Sequence, residues 1–205
     1  MNTRSLARQW WVALRAMLVF TVVLGVAYTA LVTGIAEVIA PAQAHGSTVS
    51  ADGRVVGSSL IGQAFTSKSG KPLPQWFQSR PSAAGSGGGY DASASSASNL
   101  GPSNADLIAA VKARRAAVAA ADGISPAAVP VDALTASGSG LDPDISPAYA
   151  LDQVARIARV RALSEAVVHR LVESRIEGRE AGYLGERTVN VLELNIALAQ
   201  LSSKE

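Results

Sequence analysis

Residues 16–36 read AMLVFTVVLGVAYTALVTGIA, 21 positions without a charged side chain. At about 1.5 Å per residue such a helix measures about 31 Å, the depth of one bilayer hydrocarbon core. Arg15 precedes the run and Glu37 follows it, while Trp10 and Trp11 stand where amphipathic rings prefer the headgroup level. Arg4, Arg8 and Arg15 are the only charges before the run, whereas residues 37–205 carry 15 basic and 16 acidic side chains. The positive-inside bias therefore predicts a cytoplasmic N-terminus over 1–15, a transmembrane helix over 16–36 and an exported remainder. Ala42-Gln43-Ala44 fits the small-x-small pattern of a cleaved signal, but 21 apolar residues exceed the usual signal core and favour a retained anchor.

Within this span Thr21, Gly25, Thr29 and Thr33 recur at every fourth position, with Ala30 and Gly34 repeating the spacing alongside. Such a track of small side chains lets a second transmembrane helix approach closely. The competing reading has the threonine hydroxyls bonded to their own helix and the track facing lipid. One crossing encloses no pore, so any solute pathway belongs to other chains.

The chain has 205 residues, a formal charge of +2 and no cysteine. That balance does not point to nucleic acid, and disulfide scaffolds, thiolate metal sites and cysteine nucleophiles are excluded. In the exported part, Arg54-Val55-Val56 and Ser59-Leu60-Ile61 are short apolar pieces among glycines, suited to strands and turns. Residues 82–98 hold 6 Ser, 5 Ala and 4 Gly in 17 positions, by composition a flexible linker that leaves two small domains as an alternative. Ser103-Asn104-Ala105-Asp106 predicts a helix capped by Ser103 and running to Asp122, with Gly123 as its stop. Lys112, Arg114 and Arg115 lie on its solvated side.

Ser146-Pro147 opens a second helix with Leu151, Val154 and Ala158 inward and an outward Asp152–Arg156 pair. A third runs from Ser164 towards Gly178, with Val168, Leu171, Val172 and Ile176 inward. Val189-Asn190-Val191 reads as a short strand feeding a terminal helix through Leu194, Leu198 and Leu201. The fold class expected is α+β, helix-rich towards the C-terminus.

The residues form no recognisable catalytic constellation. The histidines are His45 and His169, and no Gly-x-Ser-x-Gly elbow or phosphate-cradling Gly-x-x-x-x-Gly-Lys stretch occurs. Glu165, His169 and Glu173 share one helix face, read as solvated because a divalent site would need a further nitrogen ligand. On residues alone this is an anchored, exported binding module, with an adhesion or structural protein and a tethered hydrolase as the other classes.

Five stretches carry a resemblance: Leu60-Ile61-Gly62-Gln63-x-Phe65; Phe77-x-x-Arg80-Pro81-Ser82-Ala83; Ser98-Asn99-Leu100-Gly101-Pro102-Ser103-Asn104; Leu134 to Pro147, LTASGSGLDPDISP; and Asn190-Val191-Leu192-x-Leu194-Asn195-x-Ala197-Leu198. In this order behind one N-terminal span, they resemble the KdpC family, the C chain of the Kdp potassium-transporting ATPase. The chain departs from that family in a longer, glycine-richer 82–98 segment, in Arg187-Thr188 where a proline is common after the glutamate, and in Gln200 in place of a frequent aspartate.

The resemblance implies one compact extracytoplasmic domain over 45–205 that retains the 82–98 segment, in a single-pass protein of the bacterial cell membrane. It implies a non-catalytic subunit beside a KdpA-like pore chain, a KdpB-like P-type ATPase chain and a small KdpF-like chain. This sequence lacks both the Asp-Lys-Thr-Gly phosphorylation motif and the Thr-Val-Gly-Tyr-Gly filter. It also implies a catalytic chaperone role that raises ATP affinity, with Ser137, Gly138, Ser139 and Gly140 as the nucleotide region and no stably bound cofactor. The arginine distribution puts that region across the membrane from cytoplasmic ATP, so coupling through the pump is the expectation. Gln63, Arg80, Asn99, Gly101, Pro102, Asn104, Asp142 and Asp144 are the expected partner-contact loops, the last two aspartates as local attractors of potassium.

Overall fold

The computed structural model describes residues 3–86 and 88–202; Gly87 of the 82–98 segment and the side chain of Arg4 lie outside the described residues. The chain divides into two compact units, Met1–Thr48 and Val49–Glu205.

The first unit is helical: α1 (Thr3–Phe20), a π-helical stretch (Thr21–Tyr28), α2 (Thr29–Ile39) and a short α3 (Pro41–Ala44). Over Leu6–Ile39 these form 34 residues of apolar helix with no part of the apolar window buried. At about 1.5 Å of rise per residue this is about 51 Å, longer than a hydrocarbon core. The helix outruns the uncharged 16–36 run at both ends because Arg8, Arg15 and Glu37 are good helix formers that interrupt hydropathy, not backbone geometry. Arg15 lies over the Trp11 ring at 5.5 Å, and His45 Nε2 meets Glu37 Oε2 at 3.0 Å.

The track of small residues crosses the π-helical stretch, where hydrogen bonds close five residues back instead of four. Thr29 Oγ1 donates to the Leu24 carbonyl at 3.3 Å, so this hydroxyl is bonded within its own helix. Gly25 has no atom within 4 Å of where a Cβ would stand, and Gly25 borders a shallow apolar groove with Met17, Phe20, Thr21 and Leu24.

The second unit is α+β. It starts with a hairpin of β1 (Thr48–Ala51) and β2 (Arg54–Ser58), turned by Asp52 and Gly53, both at positive φ. A long irregular segment leads to α4 (Ala105–Asp122), and a 3₁₀ turn (Val131–Ala133) precedes β3 (Asp144–Ile145). Then follow α5 (Pro147–Asp152), α6 (Val154–Arg161), α7 (Glu165–Ser174), β4 (Val189–Asn190) and α8 (Val191–Ser202). β3 and β4 pair antiparallel, Asp144 opposite Asn190 and Ile145 opposite Val189.

The core gathers Phe77, Ile145, Ile157, Val168, Val172, Leu194 and Leu198, each almost fully buried. Helix boundaries follow local chemistry. Ser146 Oγ accepts from Tyr149 N–H with Pro147 at the first helical position, Ser164 caps α7, and Gly123 at φ 72° ends α4.

Four expectations are corrected. The cap of α4 is Asn104, not Ser103: its Oδ1 accepts from the N–H groups of Asp106 and Leu107. The helix opened by Ser146 breaks at the buried Gln153, and Arg156 points inward to Asp122 instead of outward to Asp152. α7 stops at Ser174, short of Gly178, although Ile176 still packs on the core. The 82–98 segment is no free linker: Ala84 is fully buried, Ser82, Tyr90 and Ser95 are bonded to the rest of the unit, and Ser96 Oγ closes the segment on its own Ala83 carbonyl. Its small side chains allow backbone to approach backbone, which composition alone cannot distinguish from flexibility.

Candidate functional site

Four of the five motif stretches interlock. Gly62 N–H donates to the Leu141 carbonyl at 2.8 Å, and a Cβ on Gly62 would stand 2.5 Å from the Asp142 carbonyl and from the Tyr90 ring. Ser79 Oγ donates to the Gln63 carbonyl at 2.8 Å, while Gln63 Nε2 donates to the Val56 carbonyl at 2.7 Å. Arg80 Nη1 meets Asp142 Oδ2 at 2.7 Å, both half-buried. Asn190 Nδ2 donates to the Ser59 carbonyl at 2.8 Å and ties the hairpin side to the start of α8.

The Ser137–Gly140 region forms a closed turn. Ser137 Oγ accepts from Gly140 N–H at 2.9 Å and Ser139 Oγ from Leu141 N–H at 3.1 Å. The Gly140 carbonyl accepts from Ser82 Oγ, and the Ser139 carbonyl from Ser95 Oγ at 2.9 Å. Gly140 is buried at φ 67°, and a Cβ there would lie 2.6 Å from the Ser96 carbonyl and 2.7 Å from Ala84 N. Gly138 and Ser139 are the exposed members. Two hydroxyls and two amides of this turn are thus engaged within the unit, unlike a loop whose amides converge on a phosphate.

The fifth stretch lies apart at the surface. Asn99 sits in the left-handed region at φ 53°, Gly101 and Pro102 are exposed, and Asn104 spends its side chain on the α4 cap. Of the expected contact loops, Asn99, Gly101 and Pro102 are presented to solvent, whereas Gln63, Arg80 and Asp142 hold the domain's own loops together. Asp142 is an ion-pair partner and not an isolated attractor of cations. Asp144 is half-buried, and burial, followed by the charges of Asp142, Glu177 and Glu193, pushes its carboxyl up to about 6.

A cleft of about 780 Å³ opens between the 78–90 segment and α4, lined by Arg80, Tyr90, Arg114, Asp122, Tyr149 and Arg156 among others. Arg114 Nη1 donates to the Leu134 carbonyl at 2.9 Å, so the expected solvated face of α4 is partly a tether. Tyr90 donates to the Arg80 carbonyl at 2.9 Å, and burial raises its hydroxyl to about 12, keeping it a donor. Arg80 Nε is buried without a partner.

The structure also brings together residues whose roles the sequence reading missed. Gln153 Oε1 accepts from Gln78 N–H at 2.7 Å and from Arg156 Nη2 at 2.6 Å, and Gln153 Nε2 donates to the Gln78 carbonyl. Arg156 Nη1 reaches the Pro74 and Trp76 carbonyls, and Arg161 donates to Gln75 while lying 4.3 Å over the Trp76 ring. The 74–78 segment, which opens on Pro74, has most of its backbone groups satisfied by side chains. The signal available in the sequence was a glutamine and an arginine three apart beside apolar neighbours. Glu165, His169 and Glu173 are all exposed, and among the described residues no group of three metal-ligating side chains converges.

The family model described as KdpC: K+-transporting ATPase, c chain, matches residues 10–200. The chain belongs to the KdpC family. A potassium-transporting ATPase KdpC subunit of Kineococcus radiotolerans is 55% identical over 194 residues, 95% of this chain and 94% of that protein. KdpC subunits of Methylococcus capsulatus and Streptomyces avermitilis are 51% and 50% identical over 92% and 98% of this chain. These alignments cover 96% and 97% of the two relatives, so the likeness to KdpC subunits runs from the apolar helix through the folded unit. Four of the KdpC-like stretches meet at the junction of hairpin, 82–98 segment, 137–142 turn and α8.

Proposed function

We propose that this chain is the accessory subunit of an ATP-driven, high-affinity potassium uptake complex in a bacterial cell membrane. The observation that carries this reading is the KdpC family match across residues 10–200, together with the lack of a phosphorylation or filter motif. Its partners are a KdpA-like pore chain, a KdpB-like P-type ATPase chain and a small KdpF-like chain, which supply selectivity and phosphoryl transfer. The apolar helix anchors the chain, with residues 1–15 cytoplasmic and the second unit over the external potassium entrance. The groove at Gly25 and the small residues Thr21, Thr33, Ala30 and Gly34 face a neighbouring transmembrane helix.

The second unit is a rigid docking piece, and its presented loop at Asn99, Gly101 and Pro102 touches the pore chain. Any effect on ATP affinity runs through the pump as a difference between two of its states, and not through contact of Ser139 with nucleotide. The inward bonding of the Ser137–Gly140 turn supports this choice. Labelling of Ser139 by a photoactive ATP analogue in the oriented complex would overturn it.

Affinity purification of the full chain from mild detergent tests the assembly, with recovery of a P-type ATPase chain expected. Consistent absence of that chain at native expression contradicts it. Protease added to spheroplasts tests the orientation: cleavage within 49–205 is expected, and cleavage confined to the first residues reverses the topology.

A further inference from the structure

β4 is the middle strand of a small ribbon. On one edge Val189 and Asn190 pair with Ile145 and Asp144; on the other, Thr188 exchanges backbone bonds of 3.4 and 2.8 Å with Glu177. Val191 N–H donates to the Pro143 carbonyl at 3.0 Å. The hydrogen-bonded rungs are therefore 143/191 and 145/189, and the Asp144–Asn190 rung between them is of the kind in which facing side chains come closest.

Side chains alternate along a strand, so Thr188 and Asn190 share a face, and so do Glu177 and Asp144 across from them. Asp142 closes the group from the same strand end: its Oδ1 accepts from Asp144 N–H at 3.1 Å and its Oδ2 is taken by Arg80. Glu193 joins from the first turn of α8, its N–H donating to Asn190 Oδ1 at 3.2 Å. Arg175 joins Arg80 among the cations nearby, lining with Glu177, Asn190 and Glu193 a pocket of about 170 Å³.

We propose that this acid-lined face is a proton-sensitive clasp between the 135–144 loop and the C-terminal helix: proton uptake at Asp144 tightens the β3–β4 pairing, and proton release loosens it. Asp144 faces Asn190 across the rung and Glu177 faces Thr188, so burial is what first disfavours the Asp144 carboxylate; neutralising it also removes its repulsion from Asp142, Glu177 and Glu193, against the opposing hydrogen bond from Asn190. The Asp144 carboxyl, lifted from its usual 3.8 to about 6, binds the proton more tightly in the folded unit than in the unfolded chain. Its contribution to stability is therefore complete in acid and is lost as pH rises through about 6. A modest change in external pH then alters how firmly the loop that holds Ser82 and Arg80 is fastened to α8.

Hydrogen exchange on the full chain in lipid nanodiscs between pH 5 and 8, corrected for intrinsic exchange rates, tests the clasp at the Val191 amide. Protection should fall by up to about tenfold from the acid to the alkaline end. Asp144→Asn should abolish the dependence, and Glu177→Gln, which removes one opposing charge, should move the wild-type midpoint to lower pH. A flat wild-type profile, the same profile in Asp144→Asn, or an unmoved midpoint in Glu177→Gln overturns the proposal.

Discussion

Asn195 grips Phe77 by both backbone groups, its Oδ1 accepting from the Phe77 N–H at 2.9 Å and its Nδ2 donating to the Phe77 carbonyl at 3.0 Å. The two residues are 118 positions apart and both lie in the core. An irregular segment carrying the largest fully buried side chain among the described residues is thereby fixed to α8 by an amide that imitates a strand's pairing. Asn195→Leu keeps the bulk and removes both bonds, leaving a buried donor and acceptor unmet. We expect a loss of about 2–4 kcal/mol, read from chemical denaturation of the full chain. A loss under about 0.5 kcal/mol would mean that water replaces the amide.

Arg156 and Asp122 form a buried pair at 2.6 Å, and Arg156 also binds the Pro74 and Trp76 carbonyls. Arg156→Ala should cost about 3–5 kcal/mol, because a carboxylate and two carbonyls are left without their cation. In that variant burial alone acts on Asp122 and favours its protonated form in the fold. The deficit should therefore shrink as pH falls from 8 to 5, which thermal melts across that range would detect.

Gly140→Ala places a methyl against Ala84 N and the Ser96 carbonyl at a backbone angle that favours glycine. It should cost about 1–3 kcal/mol and expose the 82–98 segment to limited proteolysis, with Gly138→Ala as the near-neutral control. Equal protease resistance in both variants would refute the packing of that segment on the 137–142 turn.

Gly25→Leu fills the open groove on the apolar helix while leaving the second unit untouched. The variant should keep its melting temperature and lose co-purifying membrane chains. Unchanged recovery would assign the groove to lipid.

Much of this architecture was legible because its signals are local. Uncharged length marked the long apolar helix, Ser146-Pro147 and Ser164 marked two helix starts, Gly123 marked a stop, and Val189-Asn190 marked the strand entering α8. What escaped depends on contacts distant in sequence. Arg156 looked like half of a surface i,i+4 pair because nothing nearby reveals that Asp122, 34 positions away, awaits it in the core. The 82–98 segment has the composition of a spacer, yet the same small residues let it lie against Gly140. Within the motif stretches, spacing identified a family but did not separate Asn99, which faces solvent, from Asn195, which holds the core.

Potassium-stimulated ATP hydrolysis tests the central reading most directly, measured at micromolar potassium on membranes containing the pore and ATPase chains with and without this subunit. No hydrolysis by the purified chain alone is expected, with little high-affinity activity in its absence and recovery when the full chain is restored. Hydrolysis by the isolated chain, or full high-affinity activity in its absence, would contradict it.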